Sequence, residues 1–250
     1  HRQNQPVVVS IFVNPTQFGP KEDFDAYPRT WNADLALCRE NGAAIVFAPR
    51  PEWMYPDGFA TSVHVGGVAD VLEGAHRPGH FDGVATVVSL LLNVVRPSDA
   101  YFGLKDFQQF RVVAQMVRDL RMPVGLVGCE TVREPDGLAL SSRNRYLSAK
   151  ERRTAGELPK ALFAARDALE LGEDWRSVEA MLTDRLATAG MAVDYAVVRD
   201  PHTLREPGDP ASQYPDVQVL AAVWVGSTRL IDNVSATRHE SPGAVAARNA

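Results

Sequence analysis

The sequence has few cysteines and no long apolar run. Cys38 and Cys129 are its only cysteines, and neither has the nearby Cys or His residues that a zinc site or a redox motif needs. We therefore expect both to be reduced, buried side chains. With no signal peptide recognisable, this predicts a cytoplasmic protein. The longest apolar stretch, Val84–Val95, is interrupted by Thr86 and Ser89 and is too short to span a membrane.

Positive charge is also scarce. Lys and Arg number 26 against 31 Asp and Glu, which gives a net charge of −5 over 250 residues. Such a surface has no broad attraction for nucleic acids or membranes, so neither is predicted as a partner. The hydrophobic share of 45% is enough for a sizeable core and one or two domains.

The first half of the chain alternates predicted strands and helices. The strands are Val7–Val13, Ala44–Ala48, Asp99–Gly103 and Val124–Val127, and the helices are Trp31–Asn41 (with Thr30 as N-cap), Phe81–Val95 and Phe107–Leu120. This alternation predicts a parallel sheet with helices on both faces. Val7–Val13 is apolar on both faces, which is typical of a buried strand.

The pattern changes after Thr131. Ser148 and Glu151 have the spacing of a capping box, which predicts a helix to about Glu170, and Asp174 is expected to cap a second helix that ends at Gly190. The strands Ala192–Arg199, Val217–Val225 and Thr228–Ile231 follow. We therefore predict an α/β domain over residues 1–131, a smaller α+β domain over 132–234 and a flexible tail over 235–250.

Unusual polar residues follow the predicted strands, at the edge where open parallel sheets bind ligands. Asn14 and Gln17 offer amides to a small polar substrate, or else they are structural amides of an Asn-Pro turn, which the motif alone favours. Lys105 suits a phosphate and Asp106 suits Mg²⁺. The alternative is a surface ion pair in which Asp106 caps the next helix.

Two further segments are candidates. Ser141, Ser142 and Arg143 present hydroxyls and a guanidinium that suit phosphate oxygens, or they form a solvated loop. His80 is a candidate proton donor or phosphate contact, or part of a structural loop. His76 lies near it, but no further ligands complete a metal site.

Taken in order, these segments resemble the pantothenate synthetases (pantoate–β-alanine ligases). The matching blocks are SIFVNPTQFG (10–19), EDFDAYPRT (22–30), MYPDG (54–58), LEGAHRPGHFDGVATVV (72–88), FGLKDFQQF (102–110), TVREPDGLALSSRNRYLS (131–148), DYAVVRD (194–200) and RLIDN (229–233). The resemblance implies a Rossmann-like, nucleotidyltransferase-type domain followed by a smaller C-terminal domain. It also implies condensation of pantoate with β-alanine through a pantoyl adenylate, with release of AMP and pyrophosphate, by a homodimer.

The resemblance assigns roles by position. Pantoate binding falls to Asn14, Gln17, Gln109, Arg77 and His80, and the catalytic contacts to Lys105, Ser141, Ser142 and Arg143. Those four, with Gly103, Asp106, Val132 and Leu140, form the implied ATP site, and Asp106 lies where the family places Mg²⁺. Catalysis would then consist of positioning and charge neutralisation on the transferred phosphate, and closure of residues 141–143 would exclude water.

The chain departs from the family in three places. The H-x-G-H motif that holds ATP phosphates does not occur, and His76-x-x-Gly79-His80 is not its equivalent because its spacing is longer. We expect the 250 residues to be a fragment, inactive if the motif is essential, or else a degenerate homologue. Leu104 replaces a usual Glu and Leu140 a common Met. The alternative functions are a silent pantoate or nucleotide binder and another nucleotidyltransferase.

Overall fold

The computed structural model describes residues 6–19, 24, 27, 29–208 and 215–238. The strands are β1 Val8–Ser10, β2 Ile45–Phe47, β3 Asp99–Gly103, β4 Gly125–Cys129, β5 Ala192–Arg199, β6 Asp216–Val225 and β7 Thr228–Thr237. The helices are α1 Trp31–Glu40, α2 Pro51–Met54, α3 Glu73–His76, α4 His80–Val95, α5 Phe107–Asp119, α6 Ala149–Ala155, α7 Glu157–Glu170 and α8 Trp175–Thr188. Short 3-10 turns are Pro15–Gln17, Leu104–Asp106 and Ser142–Tyr146.

Backbone contacts divide the chain into two compact units. Unit 1 comprises His1–Tyr101 and Arg111–Val127, and unit 2 comprises Phe102–Phe110 and Gly128–Ala250. The fold class is the predicted one, an α/β region followed by an α+β region. The domain boundary at residue 131 remains a prediction.

The sheets of the α/β region are small. β1 and β2 are parallel, with Val9 opposite Val46, and β3 pairs with β4. Within the described residues these are separate two-stranded sheets. The prediction of a strand Val7–Val13 buried on both faces is therefore wrong, since β1 has three residues, two half-buried and one exposed. A two-stranded sheet covers too little of either face to bury a strand completely.

The predicted helix over 81–95 is confirmed as α4. Most of its side chains are buried, among them Phe81, Val84 and Ala85. Gly79 precedes the helix with a φ of +81°, a left-handed conformation that glycine adopts without strain. A helix that is apolar around most of its circumference is stable only inside a core, so α4 forms the centre of unit 1.

Two local predictions fail in the first half of the chain. Both cysteines are free thiols, but Cys129 is exposed at the end of β4 and Cys38 is only half-buried. Thr30 precedes α1 as predicted, yet its hydroxyl donates to Asp34 Oδ1 at 2.9 Å and does not cap the helix. Asp34 provides an acceptor one turn ahead, and it competes with the backbone for that hydroxyl.

Unit 2 contains α6, α7 and α8 and the antiparallel sheet β5-β6-β7. The capping box is confirmed, because Ser148 Oγ accepts from the Glu151 backbone and Glu151 accepts from the Ser148 backbone. The predicted single helix to Glu170 is two helices separated by Gly156. Pro159 has no N–H to offer the carbonyl of Ala155, which favours a break there.

The core of unit 2 lies between the helices and the sheet. Its fully buried members include Leu158, Leu162, Leu182, Val198 and Val219. Asp174 caps α8 as predicted, through backbone N–H groups of residues 176 and 177.

Strand β7 reaches Thr237, so Ser235–Thr237, predicted as the start of a tail, belong to a strand that pairs with β6. Residues 239–250 of the predicted tail lie outside the described residues. Among the helices that are described, none is long and apolar enough to cross a membrane.

Candidate active site

In unit 1, the candidate site is built around Asn14, which follows β1 and caps the turn Pro15–Gln17. Its side chain is almost wholly buried, at 2% exposure. Nδ2 donates to Gly83 O at 3.1 Å and to Gln17 Oε1 at 3.3 Å, while Oδ1 accepts from the Tyr55 hydroxyl at 2.7 Å. Asn14 therefore orients Gln17, and its amide is already occupied by protein partners.

Tyr55 was not singled out from the sequence, although it lies in the MYPDG block. Its hydroxyl joins the oxygens of Asn14 and Thr16, and its ring packs against Phe59 at 5.1 Å. Burial raises the pKa of Tyr55, against the opposing effect of its hydrogen bonds to Thr16 and Asn14. The hydroxyl therefore stays protonated at neutral pH and donates to Asn14.

His80 joins the same cluster from the start of α4. Nδ1 lies 2.8 Å from Gln17 O, and Nε2 lies 3.0 Å from Arg77 Nη1. A carbonyl only accepts and a guanidinium only donates, so the proton belongs on Nδ1 and the ring is neutral. Both nitrogens therefore have protein partners. Arg77 also lies 3.9 Å from the buried carboxylate of Glu73.

Gly83 explains how the turn and the helix approach each other. A Cβ on Gly83 would lie 2.5 Å from Thr16 O and 2.8 Å from Gln17 Cα. Only glycine permits this backbone contact, which brings the turn that carries Gln17 onto α4. The sequence offered one signal, a glycine inside an otherwise continuous helical pattern.

In unit 2, the predicted phosphate contacts lie on two segments. Lys105 and Asp106 form the turn between β3 and α5, with Lys105 Nζ 3.4 Å from Asp106 Oδ1. Their side chains are 21% and 48% exposed, so the ion pair leaves both groups accessible to a ligand. Gly103 precedes the turn, and Gln109 lies in the first turn of α5.

The second segment is a hairpin over residues 131–140 and the turn after it. Leu140 N donates to Val132 O at 2.9 Å, which sets these two residues opposite each other, and their side chains are 58% and 67% exposed. Ser141 Oγ accepts from Arg143 N at 3.3 Å and caps the turn Ser142–Tyr146. The segment therefore presents an apolar pair, hydroxyls and a guanidinium along one continuous stretch.

Two acidic residues of this hairpin anchor it to the residues that follow. Asn144 Nδ2 donates to Glu134 Oε1 at 2.8 Å, and Arg152 of α6 pairs with both Glu134 and Asp136. Hydrogen bonds from Arg152 lower the pKa of Asp136 to about 2 and also lower the pKa of Glu134. Both carboxylates are therefore charged throughout the neutral range.

Comparison with known proteins decides the family. The family model for pantoate–β-alanine ligase matches residues 1–235. The pantothenate synthetase of Thermobifida fusca is 52% identical over 243 residues, which are 93% of this chain and 81% of that protein. The enzyme of Moorella thermoacetica is 50% identical over 236 residues, with coverage of 93% and 82%. The chain belongs to the pantoate–β-alanine ligase family.

Solved structures of the family agree with this assignment. The pantothenate synthetase of Thermus thermophilus superposes with a TM-score of 0.88 at 47% identity, over 93% of this chain and 84% of that one. A pantoate–β-alanine ligase from Francisella tularensis, in complex with an ATP ligand and β-alanine, gives 0.76 at 32% identity, over 93% and 80%. The chain is therefore a pantoate–β-alanine ligase, an enzyme of pantothenate biosynthesis that uses ATP.

The site residues that the family resemblance predicts in this chain fall into two groups. Asn14, Gln17, Arg77 and His80 lie together in unit 1, joined by the hydrogen bonds given above. Gln109 and all the predicted ATP contacts lie in unit 2. Among the described residues, no group of three or more His, Cys, Asp or Glu side chains is arranged to hold a metal ion.

Proposed function

We propose that this ligase works in two steps at the residues that the sequence predicted. A carboxylate oxygen of pantoate attacks the α-phosphorus of ATP, the bond to the β-phosphate oxygen breaks, and pyrophosphate leaves. The amine of β-alanine, having lost a proton to solvent, then attacks the acyl carbon of the pantoyl adenylate. The bond between the acyl carbon and the phosphate oxygen breaks, the nitrogen loses a second proton to solvent, and pantothenate and AMP are released.

The observation that carries the ATP half of this proposal is the composition of unit 2. Its turn at Lys105 contributes an ammonium, and its segment 140–143 contributes a guanidinium and two serine hydroxyls, all of which suit phosphate oxygens. Val132 and Leu140 form an exposed apolar pair beside the serines, suited to the flat face of adenine. Gly103 leaves open space where a Cβ would stand, so a phosphate can approach its backbone.

The pantoate half rests on unit 1. We propose that Gln17 binds pantoate through its side-chain amide, and that Asn14 lines the pocket and holds Gln17. The family resemblance assigns pantoate binding to Gln109 as well. His80 would fix the backbone of Gln17 and orient Arg77, whose guanidinium suits the pantoate carboxylate. In this arrangement no protein group becomes a nucleophile, and catalysis consists of orientation and charge neutralisation.

Mg²⁺ would enter with ATP. Asp106 is half-exposed and has one lysine partner, which fits the way Mg²⁺ is held in phosphate sites, by one or two carboxylates and the phosphates themselves. When bound, the ion neutralises phosphate charge. A cytoplasmic location, predicted from the two reduced cysteines, and a homodimer, implied by the family resemblance, are the remaining proposals.

The test is pantoate-dependent exchange of labelled pyrophosphate into ATP in the presence of Mg²⁺. We expect exchange with the natural chain, none without pantoate, and a loss of about 100-fold or more in Lys105→Ala, because one preorganised charge on a transferred phosphate contributes that much. Binding of ATP and pantoate without exchange, in a chain that contains the H-x-G-H motif, would favour a silent homologue. Exchange that works equally with other carboxylic acids would favour a different nucleotidyltransferase.

A further inference from the structure

Two adjacent polar residues lie buried in the middle of β7. Asp232 and Asn233 are 2% and 7% exposed, and they pair with Ala221 and Leu220 of β6. Successive side chains of a strand point to opposite faces, so the two reach different neighbours. Buried polar side chains in a strand require specific partners, and these partners lie far away in the sequence.

Asn233 holds the backbone of the Lys105 turn. Its Nδ2 donates to Leu104 O at 2.9 Å and to Lys105 O at 2.8 Å, two consecutive carbonyls. Its Oδ1 accepts from Gln218 Nε2 at 2.6 Å. Both amide hydrogens and the amide oxygen are therefore used, and only an asparagine of this orientation satisfies the two carbonyls and Gln218 together.

Asp232 holds the hairpin that leads to Ser141. Its carboxylate has no exposed surface and accepts two hydrogen bonds from Arg133, at 2.7 and 3.0 Å. The same guanidinium donates to Gly137 O at 2.9 Å and to Asn233 O at 3.2 Å. A bidentate pair with these additional bonds fixes the hairpin in both position and rotation relative to β7.

We propose that Asn233 is a positioning residue for the nucleotide step, and that with Asp232 it sets the spacing between the Lys105 turn and the segment 140–143. This inference rests on the proposed role of Lys105 in contacting phosphate. Neither residue of the pair touches substrate. Asn233 acts through the backbone from which the Lys105 side chain leaves, and a displacement of that backbone moves the ammonium away from the transferring phosphate.

The central variant is Asn233→Ala, with Ser235→Ala as its matched control. Ser235 lies two residues further along the same face of β7, and its hydroxyl donates to Gln218 Oε1 at 2.9 Å. This hydroxyl bonds to Gln218 and not to the Lys105 turn. Gln218→Met is a milder variant, because it removes the hydrogen bonds of Gln218 to Asn233 and Ser235 but leaves both bonds from Asn233 to the Lys105 turn. We expect pyrophosphate exchange to fall about 10- to 100-fold in Asn233→Ala, less in Gln218→Met, and not in Ser235→Ala.

A double variant separates positioning from simple loss of structure. If Asn233 acts through Lys105, then Asn233→Ala adds little, within about threefold, to the loss that Lys105→Ala already causes. The inference would be overturned if Asn233→Ala lowered pyrophosphate exchange by the same factor in the natural enzyme and in Lys105→Ala. It would also be overturned if Asn233→Ala, like Ser235→Ala, left the exchange rate unchanged. If Lys105→Ala itself keeps full exchange, the proposed function of Lys105 fails instead.

Two readouts do not depend on turnover. Affinity for ATP with Mg²⁺, measured by calorimetry without pantoate, is expected to weaken in Asn233→Ala and in Lys105→Ala alike. Amide hydrogen exchange in residues 104–107 is expected to accelerate in Asn233→Ala and to stay unchanged in Ser235→Ala. Unchanged protection of 104–107 in a folded Asn233→Ala enzyme would overturn the inference even if the natural chain shows no exchange of pyrophosphate.

Discussion

At the scale of single residues, the candidate site is held by buried polar side chains that bond to one another. In unit 1 the hydroxyl of Tyr55 donates to Asn14, and Asn14 orients Gln17. His80 fixes the backbone of Gln17. Every one of these groups has a partner of the complementary type. Such networks give a unique geometry, and they are sensitive to the removal of one member.

Tyr55→Phe tests the unit 1 network. The change removes the donor to Asn14 Oδ1 and leaves the ring contact with Phe59, so we expect a loss of about 1 kcal/mol, or a fivefold rise in the KM for pantoate. The KM for ATP should not change. Tyr101→Phe is the control, since Tyr101 is exposed. Equal effects of the two variants would contradict a role for the Asn14 network.

Replacing either of two arginines in unit 2 is expected to lower the free energy of unfolding by very different amounts. Arg133→Met leaves the carboxylate of Asp232 buried without its partner, which costs about 3–5 kcal/mol. Arg152→Met breaks pairs with Glu134 and Asp136 that remain in contact with solvent, and such pairs contribute about 1 kcal/mol or less. Urea unfolding at neutral pH measures both. A similar loss for the two variants would show that burial does not decide the difference.

At the scale of elements, turns and helices are brought together by backbone contacts that tolerate no side chain. Gly83 in α4 lies against the turn Pro15–Gln17, and Gly128 in β4 leaves room for the side chain of Leu104, whose Cδ2 lies 2.8 Å from where a Cβ would stand. The latter contact shows where the leucine that replaces a usual Glu is accommodated: it packs on the backbone of β4.

Gly83→Ala tests the contact between α4 and the turn. Alanine favours helices over glycine by about 1 kcal/mol, yet here its Cβ meets backbone atoms that cannot move aside. We expect a net destabilisation of about 1–3 kcal/mol and a weaker affinity for pantoate, because the turn that carries Gln17 is displaced. Asn93→Ala on the exposed side of α4 is the control. A stabilised Gly83→Ala enzyme with normal pantoate affinity would contradict this account.

At the scale of the whole molecule, the described chain has two compact units. Unit 2 encloses a continuous apolar core between its helices and its antiparallel sheet. Both units also expose large apolar side chains, among them Trp53 and Tyr101 in unit 1 and Val132 and Leu171 in unit 2. Exposed apolar residues are common on the surfaces of folded proteins.

We predict that the protein is a homodimer. Sedimentation should give twice the chain mass of 27.3 kDa across the micromolar range, and dilution should shift the equilibrium towards the monomer. Catalytic activity measured over the same dilution series would show whether the dimer is required. A monomer at every concentration would contradict the prediction.

Local pattern was enough for much of the secondary structure. β5 occupies the predicted residues, α4 and α5 match within a residue or so, and the capping box at Ser148 forms as expected. Each of these depends on residues a few positions apart. Among the predictions that failed, the buried first strand depended on what packs around it. The helix to Glu170 breaks beside Pro159, which is a local signal that the prediction did not use.

The sequence by itself determined the family and the order of the segments that carry chemistry, because eight blocks of residues keep their types and spacing along the chain. Only the tertiary structure decided which side chains act together. Tyr55 and Asn14 are 41 positions apart, Arg133 and Asp232 are 99 apart, and Asn233 and Leu104 are 129 apart. A hydrogen bond depends on distance and angle between atoms, and no local pattern encodes those for residues that meet only when the chain folds.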